Sequence, residues 1–270
     1  MEGCALLFHT AAQYELWSSR AKAIYQSNVQ GTRNIMEAAL LARVPRVIHT
    51  SSVATVGRPR LPGQVADESF QQRWRALPGP YERSKYLSEQ QVLQMVREKG
   101  LPAVIVNPSA PIGLYDSKPT PTGRIIVDLL RGKTWGYLPG GMNIVDVEDV
   151  AEGHLLAAEK GRIGERYILG GEDLTFQELF TLVCQLGGRA PPTLEVAYPV
   201  ALAAAYLDEG LLSRILRRPP NIPIVGVKLA RHRMFFDSSK AQRELGYTFS
   251  PATAAIHKAV LWFRFKRMVR

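Results

Sequence analysis

Arg46-Val47-Ile48-His49-Thr50-Ser51-Ser52 decides how this chain is read: a short strand-forming run ends abruptly in three hydroxyl residues. Upstream, the stretch from about Ala21 to Arg43 carries Ile35, Met36, Ala39 and Leu40 at helical spacing. Before it, Ala5-Leu6-Leu7-Phe8 reads as a buried strand. Downstream, a loop rich in Gly and Pro runs to Pro80, and a helix is expected from Tyr81 to Lys99, stopped by Gly100 and Pro102. Ala103-Val104-Ile105-Val106-Asn107 is the next strand, ended by Pro108. Strand, helix, strand, helix, strand with short apolar strands implies a parallel sheet in an α/β fold.

After Gly113 the pattern loosens. Helices are expected over Thr122 to Arg131, Asp149 to Lys160 and Thr175 to Leu186, the last with Thr175 as N-cap. Ile144-Val145 and Tyr167-Ile168-Leu169 read as strands, and the remainder through Trp262 reads as mostly helical with Pro-rich breaks. The expected organisation is therefore a sheet domain over 1–113 and a smaller, mostly helical substrate-binding part over 114–270, some of whose segments return to the sheet.

Composition narrows the function. Cys4 and Cys184 are the only cysteines, and His9, His49, His154, His232 and His257 lie far apart, so no metal site and no disulfide framework are expected. Met1 is followed by Glu2 and no long apolar run, so no leader is expected, and the cytoplasm is the expected location. The longest apolar stretch, Val196 to Leu207, covers about 12 residues, short of a bilayer span. Net charge is +10, with basic residues gathered at Arg214, Arg217 and Arg218, at Arg231 to Arg233, and at Arg264, Lys266, Arg267 and Arg270. Most of this charge reads as solvated surface; no nucleic acid is expected, while peripheral contact with an anionic membrane through the basic surface is the other reading.

Tyr81-Glu82-Arg83-Ser84-Lys85 is a YxxxK on a predicted helix, and residues four apart share a helix face. A lysine ammonium there would lower the pKa of the tyrosine hydroxyl, which then exchanges the proton that accompanies hydride transfer. Ser52 follows a predicted strand, where parallel sheets present functional groups, and its hydroxyl could bond the substrate oxygen beside Tyr81. For one of Ser51 and Ser52, hydrogen bonding to the strand-end backbone is the expected role.

Together with Phe8-His9-Thr10-Ala11-Ala12, Asn28-Val29-Gln30-Gly31-Thr32, Asn107-Pro108-Ser109 with Gly113, and Asp146-Val147-Glu148-Asp149-Val150-Ala151, these motifs stand in the order and at the spacing of a known family. The chain resembles the extended short-chain dehydrogenase/reductases, the NAD-dependent epimerase/dehydratase family. Tyr14-Glu15-Leu16-Trp17, Lys118-Pro119-Thr120-Pro121-Thr122-Gly123-Arg124 and Arg233-Met234-Phe235-Phe236 are similar to hopanoid-associated sugar epimerases and dihydroflavonol reductase-like proteins. The resemblance implies a doubly wound, Rossmann-like sheet, NAD or NADP as cofactor, and catalysis by Ser52, Tyr81 and Lys85. It places His9, Ala11, Asn28, Tyr81, Lys85 and Pro108 along the cofactor path, with Asn28 equally readable as a bridge between backbone groups. The implied reaction is hydride transfer at a secondary carbinol or keto carbon of a sugar-like or small carbinol substrate, with a homodimer as an implied assembly.

Such a family opens with a strand and a GxxGxxG turn that holds the pyrophosphate. Gly161-Arg162-Ile163-Gly164 leads into a strand, and Gly132-Lys133-Thr134 lacks the earlier glycine of a P-loop, so both read as turns. The expectation is an incomplete doubly wound sheet, N-terminally truncated, with a non-catalytic remnant that no longer binds cofactor as the alternative function.

Overall fold

The computed structural model describes residues 1–18, 20–57 and 64–269; part of the Gly/Pro loop and Arg270 of the basic tail thus lie outside the described residues. A parallel four-stranded sheet has the order β1 (Leu7–His9), β2 (Val47–Thr50), β3 (Ala103–Pro108), β7 (Arg166–Leu169). Connecting β1 to β2 is one continuous helical run: α1 (Ala21–Tyr25), a π-helical turn at Gln26–Gln30 and α2 (Gly31–Leu41). Between β2 and β3 runs α3 (Pro80–Lys99), with Pro80 in its first turn and Gly100 closing it at φ 66°.

The two-residue period of a strand sorts side chains to opposite faces. On β3, Ala103 and Ile105 meet Met36, Ala39, Val92 and Met95 of α2 and α3. Val104 and Val106 face the other way, into Val150 and Ala157 of α5 (Val147–Lys160) and Ala241 and Leu245 of α10 (Ser239–Leu245). Helices on both faces of a parallel sheet are the reason β3 is apolar at consecutive positions.

Two expectations are corrected. The first strand is not buried and begins later than Ala5: among the described residues β1 has a strand neighbour on one side only, and Leu6 and Phe8 are exposed. Nor is the second half simply helical. β4 (Ala110–Ile112), β6 (Gly141–Asp146), β8 (Glu172–Thr175) and β10 (Arg233–Met234) form a second sheet around β6. Their brevity hid them: β4 has 3 residues and β10 has 2, too few to show a period. A two-stranded pair joins β5 (Gly136–Tyr137) to β9 (Leu194–Glu195).

On the second sheet pack α4 (Pro121–Leu130), α6 (Phe176–Gly187) and α11 (Ala252–Phe265), through Ile126, Leu129, Phe180, Val183, Ile256 and Phe263. Thr175 caps α6 in a reciprocal capping box with Glu178. α7 (Tyr198–Leu207), α8 (Ser213–Ile215) and α9 (Ile224–Ala230) lie between α6 and α10. Gly161 ends α5 ahead of β7, and Gly132 turns at φ 70°, as their contexts imply. No helix of the described residues is long and apolar enough to cross a membrane.

Ile105 is fully buried at the centre of the first sheet. Ile105→Ala should lower unfolding free energy by about 2–5 kcal/mol, measured by urea denaturation; a loss below about 1 kcal/mol would contradict this packing.

Candidate active site

Because the first sheet is parallel, its strands deliver their carboxyl ends to one edge: His9 and Ala11 after β1, Ser51 and Ser52 after β2, Pro108 and Ser109 at β3. α3 crosses this edge with its first turns. Tyr81 lies one residue inside the helix, and Lys85 is one turn further along the same face.

One bond ties α3 to β2: the Lys85 Nζ donates to the Thr50 carbonyl at 2.6 Å. The Ser52 hydroxyl lies near enough to the Tyr81 hydroxyl to favour its charged form, while Ser52 Oγ accepts from the Ala54 backbone N–H at 3.2 Å and caps a short 3₁₀ turn at Val53–Thr55. The structure thus brings Ser52, Tyr81 and Lys85 together. Ser51 is buried, its hydroxyl 3.5 Å from Thr55 Oγ1.

Under this turn lies a buried polar network. Thr55 Oγ1 donates to Glu89 Oε2 at 2.6 Å, and Asn107 Nδ2 donates to Ser52 O, Thr55 Oγ1 and Glu89 Oε2. Glu89 is fully buried and pairs with Arg166 Nη1 at 3.3 Å. A buried carboxylate needs such partners to remain charged. The network fixes the turn that presents Ser52.

Burial controls the protonation of the site. It pushes the Tyr81 hydroxyl well above its ordinary value, with the neighbouring Tyr14 and Glu82 adding to the effect and the Ser52 hydroxyl opposing it. Burial lowers Lys85 to about 8, against the pull of Glu89. The expected direction for the tyrosine is therefore reversed: the ammonium is engaged by a backbone carbonyl, and desolvation of the phenol dominates. His9 and His49 stack at 5.5 Å and are held neutral, first by burial and then by the charge of Lys85.

The other expected residues fall into place around this group. Asn28 forms the backbone bridge: its Oδ1 accepts from the Gln13 N–H at 2.7 Å, and its Nδ2 donates to the Gln13 carbonyl and to Ser84 Oγ. Ser84 in turn donates to the Tyr81 carbonyl at 2.7 Å. Thr32 spends its one hydroxyl hydrogen on the Asn28 carbonyl, so the 3.0 Å contact with His9 has His9 Nε2 as donor. Ala11 is exposed on the loop after β1, and Pro108 is buried at the end of β3.

A nicotinamide dinucleotide needs polar partners along this edge. Ser109 Oγ is buried there without a hydrogen-bond partner, and the Lys85 ammonium has donors beyond the one used by Thr50. These groups fit the nicotinamide end of such a cofactor. No cluster able to hold a metal ion exists among the described residues.

Three contributors were not expected as site residues. Tyr14 lays its ring 4.5 Å from that of Tyr81, and its hydroxyl points toward Thr122 of α4. Leu229 of α9 and Met234 of β10 line a small hollow with Val53, Gln72, Pro78 and Glu82 at the first turn of α3. Tyr14 and Met234 stand inside stretches that carried the family resemblance, but nothing local says that these segments fold over α3.

Residues 1–170 match the NAD dependent epimerase/dehydratase family. The chain is 44% identical over 98% of its length to a putative dihydroflavonol 4-reductase of Synechocystis, covering 77% of that protein. It is 35% identical over its whole length to sterol demethylase protein B of Methylococcus capsulatus, covering 81% of it. The solved structure of gox2253 superposes with a TM-score of 0.87 at 43% identity, over all of this chain and 81% of that one.

Asn28 holds the loop of Tyr14 to the start of α3. Asn28→Ala should lower unfolding free energy by about 1–3 kcal/mol, since it strands the Gln13 amide; an unchanged denaturation midpoint would show that the bridge carries no weight.

Proposed function

The chain belongs to the NAD-dependent epimerase/dehydratase family, and from that premise we propose that it transfers hydride between NAD or NADP and a secondary carbinol or keto carbon, with Tyr81 handling the proton. The observation that carries this reading is the Tyr81 hydroxyl standing beside Ser52, on the same helix face as a lysine held against the end of β2.

The bound nicotinamide would supply two-electron hydride chemistry at the carbinol carbon. Lys85 and Tyr81 would hold its ribose, with Pro108, Ser109, His9 and Ala11 along its path. The remaining steps belong to the chain. Ser52 and Tyr81 present two adjacent hydroxyls to the substrate oxygen. Because burial raises the Tyr81 pKa, the phenol is protonated at neutral pH. It is therefore a proton donor as it stands, which favours reduction: hydride reaches the carbonyl carbon and the tyrosine proton reaches the oxygen. Tyr14 covers the outer face of Tyr81 and limits access of water to it.

The substrate reading draws on the relatives and favours a carbinol or ketone carried on an apolar skeleton. One relative is named for dihydroflavonol reduction and another for sterol demethylation, both reactions of ring systems. A hopanoid-linked substrate, with a sugar-like carbinol on a polycyclic hydrocarbon, meets the same description.

Tyr81→Phe should abolish turnover of a cyclic ketone with NADH or NADPH, followed by nicotinamide absorbance, without loss of fold by circular dichroism. Activity within about threefold of the parent, under half of a tenfold step in free energy, would remove Tyr81 from the reaction.

Lys85 loses its ammonium as pH rises through about 8, whereas Tyr81 keeps its proton well beyond that. The kcat/KM for reduction should therefore fall above pH about 8, and Lys85→Ala should remove that limb and weaken NADH binding by about tenfold to a hundredfold. A limb unmoved in the variant, or an unchanged Kd by calorimetry, would contradict the role.

A further inference from the structure

We propose that the outer face of the helical run over 198–216 docks on an anionic lipid bilayer. The run consists of α7, a π-helical turn at Asp208–Leu212 and α8. Leu207, Leu211 and Ile215 recur on it at four-residue spacing, with Val200 two turns earlier, and all are exposed, Ile215 by 66% and Val200 by 59%. Tyr206, Leu212 and Leu216 widen the stripe. Ala205, Asp208 and Ser213 are buried, and Tyr198, Ala201, Leu202, Ala204 and Glu209 are half-buried. In an unbroken α-helix the inward series after Ala205 and Asp208 would continue at position 212. The wide turn moves it one residue on, so that small Ser213 faces in and Leu212 faces out.

Charge selects the occupant. Positions 196–236 hold six basic residues and two acidic ones. Both acids are turned away from the apolar stripe and engaged within the fold. Asp208 takes Arg218 Nη2 at 2.7 Å and the Ile222 N–H, and Glu209 takes the Ile224 N–H at 2.8 Å. These bonds clip the run to the segment leading into α9. Arg214 and Arg217 are exposed at its end with no salt bridge among the described residues. An apolar face about three turns long, bordered by cations and cleared of carboxylates, matches an interface of acyl chains beneath anionic headgroups. A second copy fits worse, because a two-fold pairing of this face would oppose Arg214 and Arg217 to their own kind. No helix of the described residues is long and apolar enough to span, and Asp208, Glu209 and Arg214 interrupt this run, so it would lie in the headgroup plane.

The face is connected to the reaction site. α9 lies between the two: Leu229 lines a small hollow at the first turn of α3, and the Val225 methyls lie against Gly79, which opens α3. A substrate leaving the bilayer at this face would meet α9 first; this clause alone rests on the apolar substrate reading above.

The test is co-sedimentation of the full chain with vesicles of phosphatidylcholine containing phosphatidylglycerol, against pure phosphatidylcholine. Binding is expected to the anionic vesicles, to weaken by roughly fivefold per charge in Arg214→Gln and Arg217→Gln, and to fall by about tenfold or more in Leu211→Glu/Ile215→Glu. The substituted side chains are exposed, and an unchanged thermal midpoint confirms that each variant is folded. Absence of parent binding to anionic vesicles overturns the proposal. So does binding that survives Leu211→Glu/Ile215→Glu, or a parent dimer, seen by light scattering, that this variant dissociates while vesicles bind neither. Failure of the chain to reduce any ketone would remove the reaction reading and leave the vesicle result standing.

Discussion

The contact between the Lys85 ammonium and the Thr50 carbonyl, 2.6 Å long, is the constraint on which the site depends. It fixes the first turns of α3 against the carboxyl end of β2, and so fixes where Tyr81 stands relative to Ser52. Burying an ammonium is costly, and the cost appears as the lowering of Lys85 to about 8. The fold offsets it with Glu89, one turn further along α3, itself sealed from water and held by Arg166, Thr55 and Asn107. The turn after β2, and β3, β7 and α3, each contribute to that cluster, so the position of the catalytic hydroxyls is set by several elements of the sheet domain. On the opposite side Asn28, Ser84 and Gln13 brace the same helix turn from the loop after β1.

Much of this was legible in the sequence because it rests on short-range pattern. The β2 run into Thr50-Ser51-Ser52, the helix from Tyr81, and the apolar β3 are local signals with known structural meaning, and YxxxK places Tyr81 and Lys85 on one helix face without any tertiary information. The direction of the Tyr81 shift was not legible. It depends on how dry the phenol is, and that is decided by Tyr14, 67 positions upstream, and by the carbonyl that claims the lysine. The second sheet was missed for a related reason. β4, β8 and β10 are strands only because β6 lies beside them, and two to four residues carry no period of their own. Ala5 and Leu6 were read as strand on composition; pairing with β2 begins instead at Leu7.

Substrate access draws on the part of the chain with the weakest pattern. The run over 198–216 is apolar on nearly every side, which by sequence alone suggests a buried helix. Its exposed leucines are explained only when the inward positions are seen to be Ala205, Asp208 and Ser213. The two acids that might have marked a solvent face instead bond backbone amides leading into α9, and α9 packs against the start of α3 through Val225.

The central claim is that Ser52 and Tyr81 act as one proton-handling unit. A double-mutant cycle of Ser52→Ala and Tyr81→Phe on kcat/KM for ketone reduction tests it most directly. Groups that act as a unit are strongly non-additive, so the double variant should lose no more than the worse single variant, with a coupling on the order of 1–3 kcal/mol. Losses that simply add would show that the two hydroxyls serve separate ends.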